Sequence, residues 1–421
     1  MSQSVEELRT RIVQLESEIE VQRKFLKKLE EDKSLVQRQL NATLDPVSRL
    51  PVEISSEIFL HSLATSAGGR QDVPTGLLGI CIAWRDIALA TPALWTTVHI
   101  DFPCGNDVAK VLPIWFQRAR NFPLFASISL CGRSLNWNHR VFDVLCRYGG
   151  QLKQLEILDN DDLAPDDEDR SIDLFKDTTS VSLPLLQMLT IRCQHARRQY
   201  PASQIFQLLR GAPNIVEFIS DKVWTRGNLD SGSLVLPTLR RLIFGELTTD
   251  TDDYILHYLT LPSLEILSLP MSYISGEHLV ACIDRSGAPL RDLALGCLFR
   301  AIDFFDLHGC LRLIPSLTRF KIWNPLADVV TELFAALADS SSLLPNLHDL
   351  TIHIYTGDES HISEISWRTL VRALSTRRME HLYIVPVEAS PPMDVLTSLR
   401  ELVVDGAKIH VGTEELNFVV A

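Results

Sequence analysis

The side chains of this 421-residue chain that could do chemistry are eight cysteines, twelve histidines and one acidic run. Paired thiols at C-x-x-C spacing would bind zinc or exchange disulfides. Cys81, Cys104, Cys131, Cys146, Cys193, Cys282, Cys297 and Cys310 contain no such pair, and most sit in apolar stretches, so reduced and buried thiols are expected. The histidines are scattered, with no His-Glu-x-x-His. The run Asp159 to Asp169 is rich in carboxylates, but Leu163 falls at a ligand position and no glycine follows, so a loop is expected and not a calcium site. The chain also has no G-x-S-x-G, no G-x-x-x-x-G-K-S/T and no G-x-G-x-x-G. The expectation is a binding protein with no catalytic residue, metal or cofactor.

The elements that would carry such binding follow from bulk composition and periodicity. At 46% hydrophobic and 22% charged, the chain has enough apolar material for two or three globular domains. Net charge is −13 and the pI is near 5.4, which argues against a nucleic-acid partner needing clustered Lys and Arg. Met1 to Arg11 has no apolar signal core, and the longest apolar run, Leu77 to Trp84, falls far short of a membrane span. A cytoplasmic or nuclear protein with no membrane partner is expected.

Residues 1–44 read as a coiled-coil helix. Val5, Leu8, Ile12, Leu15, Ile19, Gln22, Leu26, Leu29, Lys33, Val36 and Leu40 follow one another at steps of three or four, with no Pro or Gly between them. β-Branched residues at the first heptad position with Leu at the fourth favour a parallel dimer, here through residues 5–40. Arg11 would meet Glu16 of the other copy, and Glu18 would meet Arg23. The competing reading is one amphipathic helix lying on its own chain.

Residues 45–96 read as three short helices. Pro46 ends the coil, and Pro51 suits a helix first turn. Ile54, Ile58, Phe59 and Leu63 form a stripe at helical spacing, and a loop from Thr65 to Thr75 precedes further apolar stretches around Leu77 and Trp84. A unit this small has little core and is expected to lean on a partner. Pro46, Leu50-Pro51-x-Glu53-Ile54, Ile58-Phe59, Leu63, Leu77, Cys81-x-x-Trp84-Arg85 and Pro92-x-Leu94-Trp95 together resemble the F-box, in the form found in mushroom-type (basidiomycete) F-box proteins. That resemblance implies docking onto a Skp-type adaptor that hangs on a cullin. It also implies that Leu50, Pro51, Ile54, Ile58 and Phe59 supply much of the contact. Leu63 and Trp84 either join that contact or pack the box, packing being favoured for Trp84 as a large aromatic.

Residues 97–421 carry an internal repeat, clearest over 150–405. Leu-x-x-Leu-x-Ile or a close variant begins at Leu152, Leu186, Leu239, Leu264, Leu290, Leu317, Leu347, Met379 and Leu399, with Ile215-x-x-Phe218 as a degenerate member. The mean step is about 27 residues, and Pro precedes most of the leading positions. Trp95 to Asp101 and Pro123 to Leu130 are candidate earlier strands. Helical stretches lie between, such as Phe206 to Arg210, His278 to Asp284, Thr331 to Ala338 and Trp367 to Leu374. This is similar to the leucine-rich-repeat receptors of F-box proteins, which implies an α/β horseshoe solenoid of one strand and one helix per repeat. The residues alternating with the buried leucines would line the concave side: Arg241, Ile243, Ile266, Ser268, Asp292, Arg319, Lys321, Asp349, Thr351, His381 and Tyr383. An ordinary solvated sheet face is the competing reading of that set.

The resemblance implies the substrate-recognition subunit of a Skp–cullin–F-box ubiquitin ligase, its repeats binding a target protein. The alternative is a scaffold that engages no cullin and tethers partners through its coil and repeats. A hidden hydrolase or transferase is the poorest reading.

Overall fold

The computed structural model describes residues 5–44, 47–64, 74–160, 171–176, 181–194, 198–226, 232–248, 251–297, 302–355, 362–375 and 377–420. Pro46, residues 65–73 of the loop after the Leu63 stripe and residues 161–169 of the acidic run lie outside this set. The fold is mixed α/β, with a long N-terminal helix and one large parallel sheet. It divides into two compact units, one of residues 1–97 and 115–122, the other of residues 98–114 and 123–421. Among the described residues, no helix is long and apolar enough to cross a membrane.

The first unit opens with α1 (Val5–Leu44), an unbroken 40-residue helix. A 3-10 turn at Val47–Arg49 leads to α2 (Val52–Ala64), α3 (Thr75–Ile80) and α4 (Ile82–Ala90), and a second 3-10 turn spans Pro92–Trp95. The sequence motif around Cys81 has a local physical basis. The Cys81 thiol accepts the Trp84 backbone N–H at 3.5 Å and so caps α4, while Arg85 Nε donates to the Leu78 carbonyl at 3.1 Å and fixes the α3–α4 corner. Trp95 is wholly buried and donates its indole N–H to the Ala88 carbonyl at 2.8 Å.

The second unit holds β1 (Thr97–Phe102), α5 (Val108–Ala119, whose last turns belong to the first unit), β2 (Leu124–Leu130), α6 (His139–Arg147), β3 (Leu152–Asp159), β4 (Met188–Cys193) and β5 (Arg198–Pro201). It continues through α7 (Ala202–Gly211), β6 (Glu217–Asp221), β7 (Val223–Arg226), β8 (Leu234–Val235), β9 (Arg241–Ile243), β10 (Leu259–Thr260) and β11 (Ile266–Leu269). From there strand and helix alternate: α8 (Gly276–Ser286), β12 (Asp292–Gly296), α9 (Phe304–Leu313), β13 (Arg319–Trp323), α10 (Ala327–Asp339), β14 (Asp349–His353), α11 (Glu364–Ser375), β15 (His381–Val385), α12 (Met393–Val404) and β16 (Lys408–Val411).

Among the described residues, twelve strands form one open sheet in the order β1-β2-β3-β4-β6-β9-β11-β12-β13-β14-β15-β16, and every pairing from β2 onward is parallel. Parallel neighbours require a crossover, which the intervening helices supply in the C-terminal half. Their ends are marked locally. Ser275 and His278 form a capping box at the start of α8, Gly287 closes that helix with φ 55°, and the Asp303 side chain accepts the Asp306 N–H to open α9. In β12 and β13, for example, the second and third apolar positions of the repeat are the buried strand residues, Leu293 and Leu295 or Phe320 and Ile322.

Two expectations need correction. The motif Leu399-Leu402-Val404 is not a strand; it lies in α12, where Leu399 is buried and Val404 is 86% exposed. A three-residue apolar spacing fits a helical face as well as a strand, and the actual last strand carries Gly406 where its neighbours have a leading Leu or Met. Ile409 and Val411 pair with Leu382 and Ile384 and are the true continuation. Asp159 likewise is no loop residue: it ends β3, is buried, and accepts from Arg198 Nε at 2.6 Å. Breaking such a buried pair leaves an uncompensated charge.

The close approach of backbone at β12 gives a direct test of this packing. A Cβ built on Gly296 would sit 2.2 Å from the Leu247 carbonyl oxygen and 3.1 Å from Pro270 Cα, whereas one on Gly309 in α9 would meet nothing nearer than 3.8 Å. Gly296→Ala is expected to destabilise the sheet by about 2 kcal/mol or more. Gly309→Ala is expected to be neutral or stabilising by up to about 1 kcal/mol. Urea denaturation of both variants checks the pair, and equal midpoints would contradict the packing.

Candidate functional site

Two surfaces, one in each unit, carry the residues singled out by sequence. In the first unit α2 has two distinct stripes. Ser55 and Phe59, one turn apart, are 0% and 1% exposed. Phe59 packs against Trp84 with ring centroids 4.9 Å apart, and the Ser55 hydroxyl donates to the Val47 carbonyl at 3.2 Å. The Ser56 and Thr91 hydroxyls, 2.7 Å apart, tie α2 to the end of α4.

The other stripe is apolar and open. Leu50, Ile54 and Ile58 follow one another at four-residue steps and are 40%, 49% and 43% exposed, with Pro51 and Val52 exposed beside them. Ile80 and Ile82 add two more exposed branched side chains to the same unit. The structure therefore splits the expected adaptor-contact set. Leu50, Pro51, Ile54 and Ile58 stand in solvent, Leu63 and Trp84 are half-buried, and Phe59 lies in the interior. Phe59 corrects the implied contact list, because helical spacing puts it on the Trp84 side of α2. A cluster of exposed large aliphatics on one small helical unit is what marks a protein-contact surface.

The heptad residues of α1 are open in the same sense. Leu8, Ile12, Leu15, Ile19, Leu26, Leu29, Val36 and Leu40 are all between 42% and 62% exposed. Val13, Val21, Phe25 and Leu35, off that seam, are exposed as well.

In the second unit, parallel register gathers the dispersed strand-face candidates into two rows. Arg241, Ile266, Asp292, Arg319, Asp349, His381 and Lys408 are successive cross-strand partners. Ile243, Ser268, Ala294, Lys321, Thr351, Tyr383 and His410 form the second row. All are half-buried or exposed, while the residues between them are buried. Within the first row Arg319 donates to Asp292 Oδ2 through Nε at 2.9 Å and through a terminal nitrogen at 2.7 Å, and Arg241 lies 3.4 Å from Glu217.

Sequence reasoning missed Lys408 and His410, because their strand was assigned to α12's leucines. It also missed Trp323 and His353, which are cross-strand partners one step beyond the second row. Their signal was available: each stands two residues after a residue already placed on that face. Burial, with the nearby Lys321 charge adding to it, pushes the His353 pKa down to about 4, so this ring is neutral at physiological pH.

None of the eight cysteines is in a disulfide; Cys193, Cys282, Cys297 and Cys310 are buried, Cys81, Cys104 and Cys146 are half-buried, and Cys131 is exposed. Burial pushes Cys146 and Cys310 up to about 12 and Cys297 up to about 11, so none of these three is a thiolate at neutral pH.

No protein-family model matches the chain, and no curated protein matches it. The functional reading rests on these two surfaces.

The division of α2 into an interior and an open stripe is testable. Phe59→Ala is expected to cost the first unit about 3–5 kcal/mol, visible as lost hydrogen-exchange protection across residues 82–95. Ile54→Ala is expected to change that protection by less than about 0.5 kcal/mol. Equal effects of the two variants would contradict the assignment.

Proposed function

We propose that the chain is the substrate-recognition subunit of a Skp–cullin–F-box ubiquitin ligase. In this reading residues 45–96 form the F-box, the open strand face binds a target protein, and the sheet and its crossover helices form a leucine-rich-repeat horseshoe with that face on the inside. The observation that carries the proposal is the apolar stripe Leu50–Ile54–Ile58, open to solvent on a unit whose own interior is already filled by Phe59, Trp84 and Trp95. Covering what remains exposed of three such side chains would contribute at most about 1.5–3 kcal/mol each towards binding a partner. The Cys81-x-x-Trp84-Arg85 motif supports the same reading, since each of its residues has a structural job in shaping that unit.

The mechanism would be proximity. One surface holds the adaptor and the other holds the target, so that a target lysine is kept at high effective concentration near a charged conjugating enzyme. The protein itself would form no covalent intermediate. Co-purification with a Skp-type adaptor tests this. Wild type is expected to capture the adaptor, and Ile54→Arg/Ile58→Arg is expected to lose it by at least about a hundredfold, since two charges would be buried without partners. An unchanged circular dichroism spectrum would show that the variant still folds. A wild-type chain that captures no adaptor would favour the scaffold reading, in which coil and repeats merely tether partners.

The exposed heptad seam of α1 supports a parallel homodimer through residues 5–40, which would present two copies of each surface and raise avidity. Light scattering of the full chain is expected to give twice its 47.4 kDa mass, and Ile12→Lys/Ile19→Lys is expected to return it to one copy. A single-chain mass for wild type would contradict the dimer.

A further inference from the structure

Four rings follow one another across strands β13 to β16 on the open face of the sheet, in two stacked pairs joined by a tilted contact. Trp323 and His353 lie 3.6 Å apart between centroids at 23°, His353 and Tyr383 5.5 Å apart at 47°, and Tyr383 and His410 4.8 Å apart at 29°. All four are half-buried. The two stacked pairs, Trp323–His353 and Tyr383–His410, cover part of one another's faces. The ladder also carries two polar donors, the indole N–H of Trp323 and the hydroxyl of Tyr383. Lys321 closes the ladder at the Trp323 end, its Nζ 5.2 Å from that ring's centroid.

The rows of β13 to β16 carry three fixed cations, Arg319, Lys321 and Lys408, against Asp349. Lys321 is flanked across the strands by Ala294 and Thr351, and Lys408 by His381, so neither has a carboxylate as its lateral neighbour. The Arg319 charge is met by Asp292, and at the strand starts Glu380 lies 3.9 Å from His348. Asp349 is the one carboxylate within the rows of these four strands. At the other end of the same face the balance reverses: β3, β4 and β6 present Glu156, Glu217 and Asp221 against Arg192. In a chain of net charge −13, this patch with a cationic excess stands out.

We propose that the β13–β16 face is a docking site for an extended acidic segment of a partner protein. On the reading above, which this inference rests on and deepens, that segment belongs to the target. Four strands at about 4.8 Å spacing span roughly 14 Å, the length of about four extended residues. Carboxylates along such a segment would meet Lys321 and Lys408. Two lysines without lateral carboxylates are too few to hold a nucleic-acid backbone in an acidic protein, which favours a peptide.

The test uses the full chain and fluorescein-labelled deca-glutamate, followed by anisotropy at low and moderate salt, with deca-lysine and a ten-residue oligo-thymidine as comparators. Deca-glutamate is expected to bind, to weaken as salt rises, and to lose at least about tenfold in affinity in Lys321→Glu/Lys408→Glu. Glu156→Lys at the far end of the face is expected to leave it within about twofold. Both variants should keep the wild-type melting temperature, since they alter only exposed or half-buried charges. Equal or tighter binding of deca-lysine, tighter binding of oligo-thymidine, or an unaffected double variant would each overturn the site. Adaptor capture run in parallel separates the two claims. If deca-glutamate binds but wild type captures no adaptor, the ligase reading fails and the site stands; if capture holds and deca-glutamate does not bind, only the site fails.

Discussion

The structure depends on the in-register stacking of one buried apolar ladder along the parallel sheet. Leu267, Leu293, Phe320, Leu350, Leu382 and Ile409 are successive cross-strand partners, and all are buried. A strand has a side-chain period of two, so fixing that ladder in the core also fixes which residues face outward. A one-residue slip of any strand would send its charged face into the core. The rows from Arg241 to Lys408 and from Ile243 to His410 are thus consequences of core packing, and the ring ladder from Trp323 to His410 exists only because that register holds.

The first unit obeys a different economy of space. It is too small to bury all of its aliphatic side chains, and it devotes Phe59 and Trp95 to an interior. Phe59 meets Trp84, while Trp95 is met at 4.8 Å by Trp115 and covered by the Arg118 guanidinium at 4.5 Å. With those contacts made, Leu50, Ile54 and Ile58 are left over on the outside. The proposed adaptor role follows from that surplus: the leftover stripe runs from Leu50, just before α2, to Ile54 and Ile58 on it, and consists of aliphatic side chains that gain by leaving water.

Much of this was legible in the sequence, for reasons that can be named. The heptad in α1, the Pro-led Leu-x-x-Leu-x-Ile repeats and the alternation within strands are local patterns, and they gave the long helix, the parallel strands and the two outward rows. What could not be read was anything that depended on an ambiguous period or on a distant partner. Leu399-x-x-Leu402 fits a helix as well as a strand, and the last strand hides behind Gly406 in place of a leading apolar residue. Phe59 and Ile58 are adjacent letters of one motif, yet helical geometry puts one inside and the other outside. Asp159 looked like the start of a loop because its buried partner, Arg198, is 39 positions away. The ring ladder was invisible for the same reason, since its members come from four repeats and meet only through register.

The central claim is that the open stripe of α2 is where a Skp-type adaptor docks. Hydrogen–deuterium exchange of the full chain with and without such an adaptor tests it most directly. Backbone amides from residues 47–64 should gain protection on adding the adaptor, while those of β11 to β16 should not change. Protection confined to the sheet, or no protection anywhere at saturating adaptor, would contradict the account.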